Sequence, residues 1–295
     1  MDNPIFKKEQ KVRARSPKLM LLIVGYNLLL VILMVVAYVS IYGENQQIGR
    51  VARYQDTLIL YMLIGVFQFV LLLLIVPAFT AGTITGEKER QTFDILITAN
   101  RKPLAIIIGK LGASVSTMLL LIISSLPIVA IVFSVGGVSI TDVFLYVIVC
   151  FLEAVFIGSI GLFFSSVSKN TTKSTVATYV TILLLVIGTA TVLGILYLVV
   201  SKQINYNEFA AEAIKIVTDL KSTVWILLIN PLVTVVALLM EQTGNESLFA
   251  QYINEVGRCN TLILEHWVAI SIAIQTVVAV VLIYLSTKNI DRIKK

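Results

Sequence analysis

Six apolar stretches, each long enough to cross a lipid bilayer, leave this chain few folds to choose from: Leu19 to Tyr42, Leu58 to Phe79, Leu104 to Val135, Val143 to Phe164, Val176 to Val200 and Trp267 to Leu285. About 30 Å of hydrocarbon takes roughly 20 helical residues at about 1.5 Å each. A helix satisfies its own backbone donors and acceptors there. The blocks are therefore read as the six transmembrane helices of an all-α integral membrane protein. Hydrophobic residues make up 58% of the chain and charged residues 14%, against about half and a quarter in soluble domains, so a soluble class is excluded.

A further apolar stretch, Val224 to Met240, is interrupted by Asn230 and Pro231. Charge decides its status. With six spans, the N- and C-termini both lie in the cytoplasm. Of the 23 lysines and arginines, only Arg50, Arg53, Lys202, Lys215, Lys221 and Arg258 then fall outside, as the positive-inside rule requires. A seventh crossing would export the tail with Lys288, Arg292, Lys294 and Lys295. Val224 to Met240 is therefore read as a re-entrant or interfacial helix pair within a long outer connection, residues 201–265, broken at its Asn-Pro step.

Residues 1–18 read as a cytoplasmic amphipathic helix at the membrane surface. Ile5, Phe6 and Val12 recur at helical spacing among Lys7, Lys8, Lys11, Arg13 and Arg15, and Pro17 should end it; a disordered basic tail is the plainer alternative. Residues 19–295 form the six-span body. The first apolar block follows basic residues as a signal peptide does, but it is too long and lacks a small-x-small site, so it reads as an uncleaved anchor. The net charge of +6 comes from residues flanking spans, which favours anionic inner-leaflet lipid over nucleic acid as a partner. Cys150 and Cys259 make no disulfide framework.

The third block is longer than a span needs, about 48 Å as a helix. Pro103 suits its first turn, Lys110 is expected to snorkel at the inner headgroup level, and Pro127 to kink the outer half.

The inner connection between spans two and three reads Gly86-Glu87-Lys88-Glu89-Arg90-Gln91-Thr92-Phe93-Asp94-Ile95-Leu96-Ile97-Thr98. Acidic residues stand where a helix would start, and Phe93, Leu96 and Ile97 follow at i, i+3 and i+4. A short amphipathic helix is expected, suited either to a groove on a soluble partner or to a role as a solvated connector.

At these residues the chain resembles the permease subunits of type-2 ABC exporters, which carry a stretch like Gly-Glu-Lys-Glu-Arg-Gly-Thr-Leu-Glu-Leu-Leu-Leu-Thr after the second span. Gly109-Lys110, the opening Asn3-Pro4-Ile5-Phe6, Gly161 to Ser166 and Asn230-Pro231 are similar too. Gln91 stands where the family usually has glycine. The resemblance implies an exporter of the cytoplasmic membrane. Glu87, Lys88, Glu89, Arg90, Thr92, Phe93, Asp94, Leu96 and Ile97 would form its coupling helix, seated on a separate ATPase present in two copies. A second permease copy or a paralogous permease would complete the assembly. The chain has no Gly-x-x-x-x-Gly-Lys-Ser/Thr loop, so ATP and Mg would be bound by the partner ATPase and no cofactor by this chain.

Within the spans, Glu153 is a costly carboxylate and a default functional residue. With Asn27 and Gln68 it is a candidate for the substrate path. Bonding between helices, with Asn27, Gln68 or Gln275 as partner, is the structural alternative. Ala154, Gly158, Gly161 and Ser165 form a small-residue stripe on span four, and Ala177, Thr181, Gly188 and Thr191 a second on span five. His266, the sole histidine, has no metal-ligand company, and no catalytic set appears, so an enzyme is unsupported. The alternative function is a proton-coupled secondary transporter using Glu153, against which stand the lone carboxylate and the missing internal repeat.

Overall fold

The computed structural model describes residues 4–47, 54–93, 103–134, 139–192, 194–195, 224–256 and 261–294. Asp94, Leu96, Ile97, Cys259 and residues 201–223 of the long connection lie outside the described residues. Helix α1 is Pro4–Ala14, α2 Pro17–Gln47, α3 Tyr54–Thr80, α4 Thr85–Glu89, α5 Pro103–Ser134 and α6 Ile140–Val167. Helix α7, Thr171–Leu183, runs on through a π-helical turn at Leu184–Gly188. After a 3-10 turn at Val224–Ile229 come α8 (Pro231–Gln242), α9 (Glu246–Val256), α10 (Thr261–Glu265) and α11 (Trp267–Lys294). Six of these, α2, α3, α5, α6, α7 and α11, are long and apolar enough to cross a membrane. The fold is all-α with six spans, as the apolar blocks require.

Proline punctuates the chain. Four of the six prolines open a helix, at Pro4, Pro17, Pro103 and Pro231, where the missing N–H costs nothing and φ is already helical. Pro77 and Pro127 lie inside α3 and α5. Helix α6 starts with a capping box: Ser139 Oγ accepts from the Thr141 amide at 3.4 Å, while the Ser139 amide donates to Asp142 Oδ2 at 2.9 Å.

The chain divides into two compact units. The first comprises residues 1–179 and 276–295. Within it α3, α5 and α6 pack on one another, and α1 and α2 lie against α5. The share of each apolar window buried by protein is 50% for α3, 67% for α5 and 56% for α6, but 11% for α2. Three helices thus make the core, and α2 turns most of its apolar surface outward, as a lipid-facing helix does. Ile84, Phe93, Ile107, Leu111, Val115, Leu162 and Ile290 close one end of that core.

The second unit comprises residues 180–275. Its core gathers Leu227, Leu228, Ala237, Phe249, Ile253 and Trp267, with the Phe249 and Trp267 rings edge to face at 5.5 Å. The Asn-Pro step that breaks the seventh apolar stretch organises this unit. Asn230 Oδ1 accepts from the Leu232 and Val233 amides at 2.9 and 3.3 Å, capping α8. Its Nδ2 donates to the Val186 carbonyl at 3.0 Å and Thr189 Oγ1 at 2.8 Å. The π-turn carbonyl thereby finds its partner in the side chain that starts α8.

Candidate functional site

The segment joining α3 to α5 is held by three consecutive charged residues, each bound to a different helix of the first unit. Glu87 Oε1 accepts from Lys110 Nζ of α5 at 2.8 Å. Lys88 Nζ donates to the Ser166 and Ser168 carbonyls at the end of α6, at 2.7 and 2.9 Å, where orphan carbonyls and the helix dipole favour a cation. Glu89 takes the mirror position at the start of α7, accepting from the Thr171 amide at 2.6 Å and Thr171 Oγ1 at 2.8 Å. In so short a helix the i, i+1, i+2 side chains point in different directions, so three neighbours reach three helices.

Lys110 is the hub of this arrangement. It is 1% exposed, and its Nζ bonds the Thr83 carbonyl at 2.9 Å and Glu9 Oε1 of α1 at 3.4 Å besides Glu87. The expectation that it snorkels to headgroups is therefore corrected: two carboxylates from other elements meet it inside the protein, where an unpaired ammonium would be far costlier. Arg13 extends the cluster. It lies 3.7 Å from Glu9, donates to Ser114 Oγ at 3.2 Å and Thr117 Oγ1 at 3.5 Å, and sits 5.2 Å above the Phe79 ring. Burial pulls its pKa below the usual arginine value and Glu9 opposes the shift.

Helix α4 stops after five residues, so the helix expected to continue toward Thr98 is interrupted at Gln91. The reason is a Schellman cap: the Thr92 amide bonds the Glu87 carbonyl at 3.0 Å and the Gln91 amide the Lys88 carbonyl at 3.2 Å, with Gln91 at φ 58°. This is the left-handed conformation that glycine adopts freely and glutamine at a cost of about 1 kcal/mol. The position where the resembling sequences carry glycine is thus the one where the backbone needs it. The bend is kept despite Gln91.

The expected apolar face divides. Phe93 is 4% exposed and packs into the core of its own chain, with Lys88 Nζ 5.6 Å from its ring centroid. Arg90, Gln91 and Thr92 are exposed; Asp94, Leu96 and Ile97 lie outside the described residues.

Two residues that hold α4 belong to the small-residue stripe of span four and to the Gly161 to Ser166 run. Ser165 Oγ accepts from the Ile84 amide at 2.9 Å and the Thr85 amide at 3.1 Å, capping α4 from another helix, since Ile84 offers no side-chain cap. Gly161 lets α6 touch the end of α3: a Cβ there would overlap the Thr80 hydroxyl and stand 3.2 Å from the Ala81 amide nitrogen. Small-residue spacing signalled close approach, but what approaches is non-local. Replacing Ser165 by alanine leaves two buried amides without an acceptor, with an expected loss of about 2 kcal/mol. Thermal unfolding of the detergent-solubilised chain measures it, and a shift no larger than that of Ser139→Ala, an exposed cap, would refute the assignment.

The proposed substrate-path residues sit elsewhere in the first unit. Asn27 Nδ2 donates to Ser124 Oγ at 2.9 Å and the Ile23 carbonyl at 2.8 Å. Gln68 Nε2 donates to Ser125 Oγ at 3.0 Å. The two amides thus join α2 and α3 to neighbouring serines of α5, the interhelical use of polar groups in spans. Glu153 is fully buried on α6. Gln275 belongs to the second unit, its Nε2 donating to Thr234 Oγ1 at 3.0 Å.

A family model described as ABC-2 family transporter protein matches residues 39–288. No curated protein sequence matches the chain.

Proposed function

The chain belongs to the ABC-2 family of transporter proteins, and from that premise we propose that it is the permease subunit of an exporter whose separate ATPase pushes on the α4 segment. An ATPase that works on cytoplasmic ATP requires α4 on the cytoplasmic side, with α1 and both termini, in keeping with the lysine and arginine distribution. The observation that carries the reading is the mounting of α4. Glu87, Lys88 and Glu89 reach α5, α6 and α7, and through Lys110 also α1, so a push on this five-residue element is delivered to four helices at once. Arg90, Gln91 and Thr92 stand exposed at its end. They are the part of the segment that an ATPase would touch, while the residues before them transmit. ATP and Mg belong to that partner, which acts as a pair on this permease and a second copy of it or a paralogous permease. The half-buried amide of Asn27 and the buried amide of Gln68 serve helix packing in this scheme.

The division between contact and transmission is testable. Arg90→Glu is expected to reduce recovery of the ATPase with the permease about tenfold or more, as loss of an interface charge does, without lowering the thermal stability of the permease alone. Glu89→Gln keeps the ATPase bound and weakens the link between hydrolysis and transport. If Arg90→Glu copurifies with undiminished ATPase and transports normally, the contact assignment is wrong.

A further inference from the structure

Between α1, the end of α3 and the α4 segment lies an open cavity of about 830 Å³, large enough for a small-molecule ligand. Lys8, Arg13 and Arg90 line it, together with Glu9, Glu87 and the apolar side chains of Val12 and Phe79. Both carboxylates are bound to Lys110. Counting Lys110, four cations face two acids, and the surplus is positive. Lys8 and Arg90 are exposed and make no ion pair among the described residues. Val12 is 64% exposed although it is an aliphatic residue, and it follows Lys8 by four residues, on the same helical face. A cation and a bare apolar surface thus stand side by side on one wall.

We propose that this cavity binds the headgroup of an anionic phospholipid. The phosphate lies between Lys8 and Arg90, and the start of an acyl chain lies on Val12 and Phe79. Arg13 is what favours a lipid over a soluble anion. The same side chain also borders a second cavity of about 220 Å³, walled by Leu19 and Leu120 at the beginning of α2 and within α5. It therefore stands where the charged level meets the hydrocarbon level, a boundary a phospholipid crosses and a free phosphate does not. The site rests on α1 lying at a membrane surface and shares Arg90 with the proposed ATPase contact, so its test uses the permease alone.

The full chain is placed in phosphatidylcholine nanodiscs with a trace of diazirine-labelled phosphatidylglycerol, illuminated, and the labelled peptides mapped. Label is expected on the peptides carrying Val12 and Phe79, displaced by unlabelled phosphatidylglycerol but not by phosphatidylcholine or inorganic phosphate. Lys8→Gln with Arg90→Gln should reduce the labelling about thirtyfold, since each cation near an anionic lipid contributes a factor of roughly five. Lys11→Gln with Arg15→Gln, exposed cations on α1 and just after it that do not line the cavity, should leave it unchanged. Equal displacement by phosphatidylcholine, displacement by phosphate, or equal loss in both double variants overturns the proposal.

Discussion

Replacing Glu9 and Glu87 together by glutamine should destabilise the chain by about 3–5 kcal/mol, the cost of a buried charge stripped of its counter-charges. Lys110 is 1% exposed, and those two carboxylates are the acids it touches, at 3.4 and 2.8 Å. The Thr83 carbonyl remains as one acceptor, but a carbonyl dipole does not neutralise an ammonium. Each glutamic acid is about a quarter exposed, though Glu87 Oε2 itself is buried, so water screens the acids only in part and the lysine not at all. Adding Lys110→Met to the double variant should recover most of the loss, because it removes the stranded charge and keeps the volume. The measurement is the temperature at which the solubilised chain loses its monodisperse elution peak. A triple variant no more stable than the double would show that the cluster is not governed by the lysine charge.

The second large effect is expected from a single methyl group. Gly161→Ala should cost about 3 kcal/mol, at the upper end for overpacking a tight contact. The new Cβ meets Thr80 and the Ala81 backbone, and backbone does not swing aside as a side-chain tip does. Intrinsic propensity points the other way, since alanine is favoured over glycine in a helix by about 1 kcal/mol. Gly25→Ala in α2 separates the two effects: nothing lies within 4 Å of its Cβ position, so that variant should be neutral or slightly stabilising. The same unfolding assay reads both. Because Thr80 and Ala81 lead directly into the turn before α4, Gly161→Ala should also weaken transport beyond its effect on stability; equal behaviour of the two variants would remove Gly161 from the packing argument.

The six spans were legible because hydrocarbon imposes length and polarity on any helix that crosses it, and prolines mark helix starts by a rule that acts within one turn. The Asn230-Pro231 break was legible for the same local reason: Asn caps and Pro cannot continue a helix. The length of α4 was not. Phe93, Leu96 and Ile97 suggest a continuous amphipathic helix, yet the Schellman cap at Gln91 ends it, and periodicity carries no signal for one left-handed residue. Phe93 was read as a docking residue, whereas the fold buries it in its own core.

Lys110 shows where sequence reasoning meets its limit. A lysine near the end of an apolar block has two solutions, extending to headgroups or meeting an acid inside the protein, and its own neighbours are compatible with either. The choice was made by Glu9, 101 positions away, and Glu87, 23 positions away. Ser165 likewise caps amides about 80 positions distant. Membrane class, the number of spans and their helical nature follow from composition along the chain, because the solvent acts on each segment separately. The mounting of α4 was decided by tertiary structure, because a hydrogen bond or an ion pair depends on two partners whose distance in sequence says nothing about their distance in space.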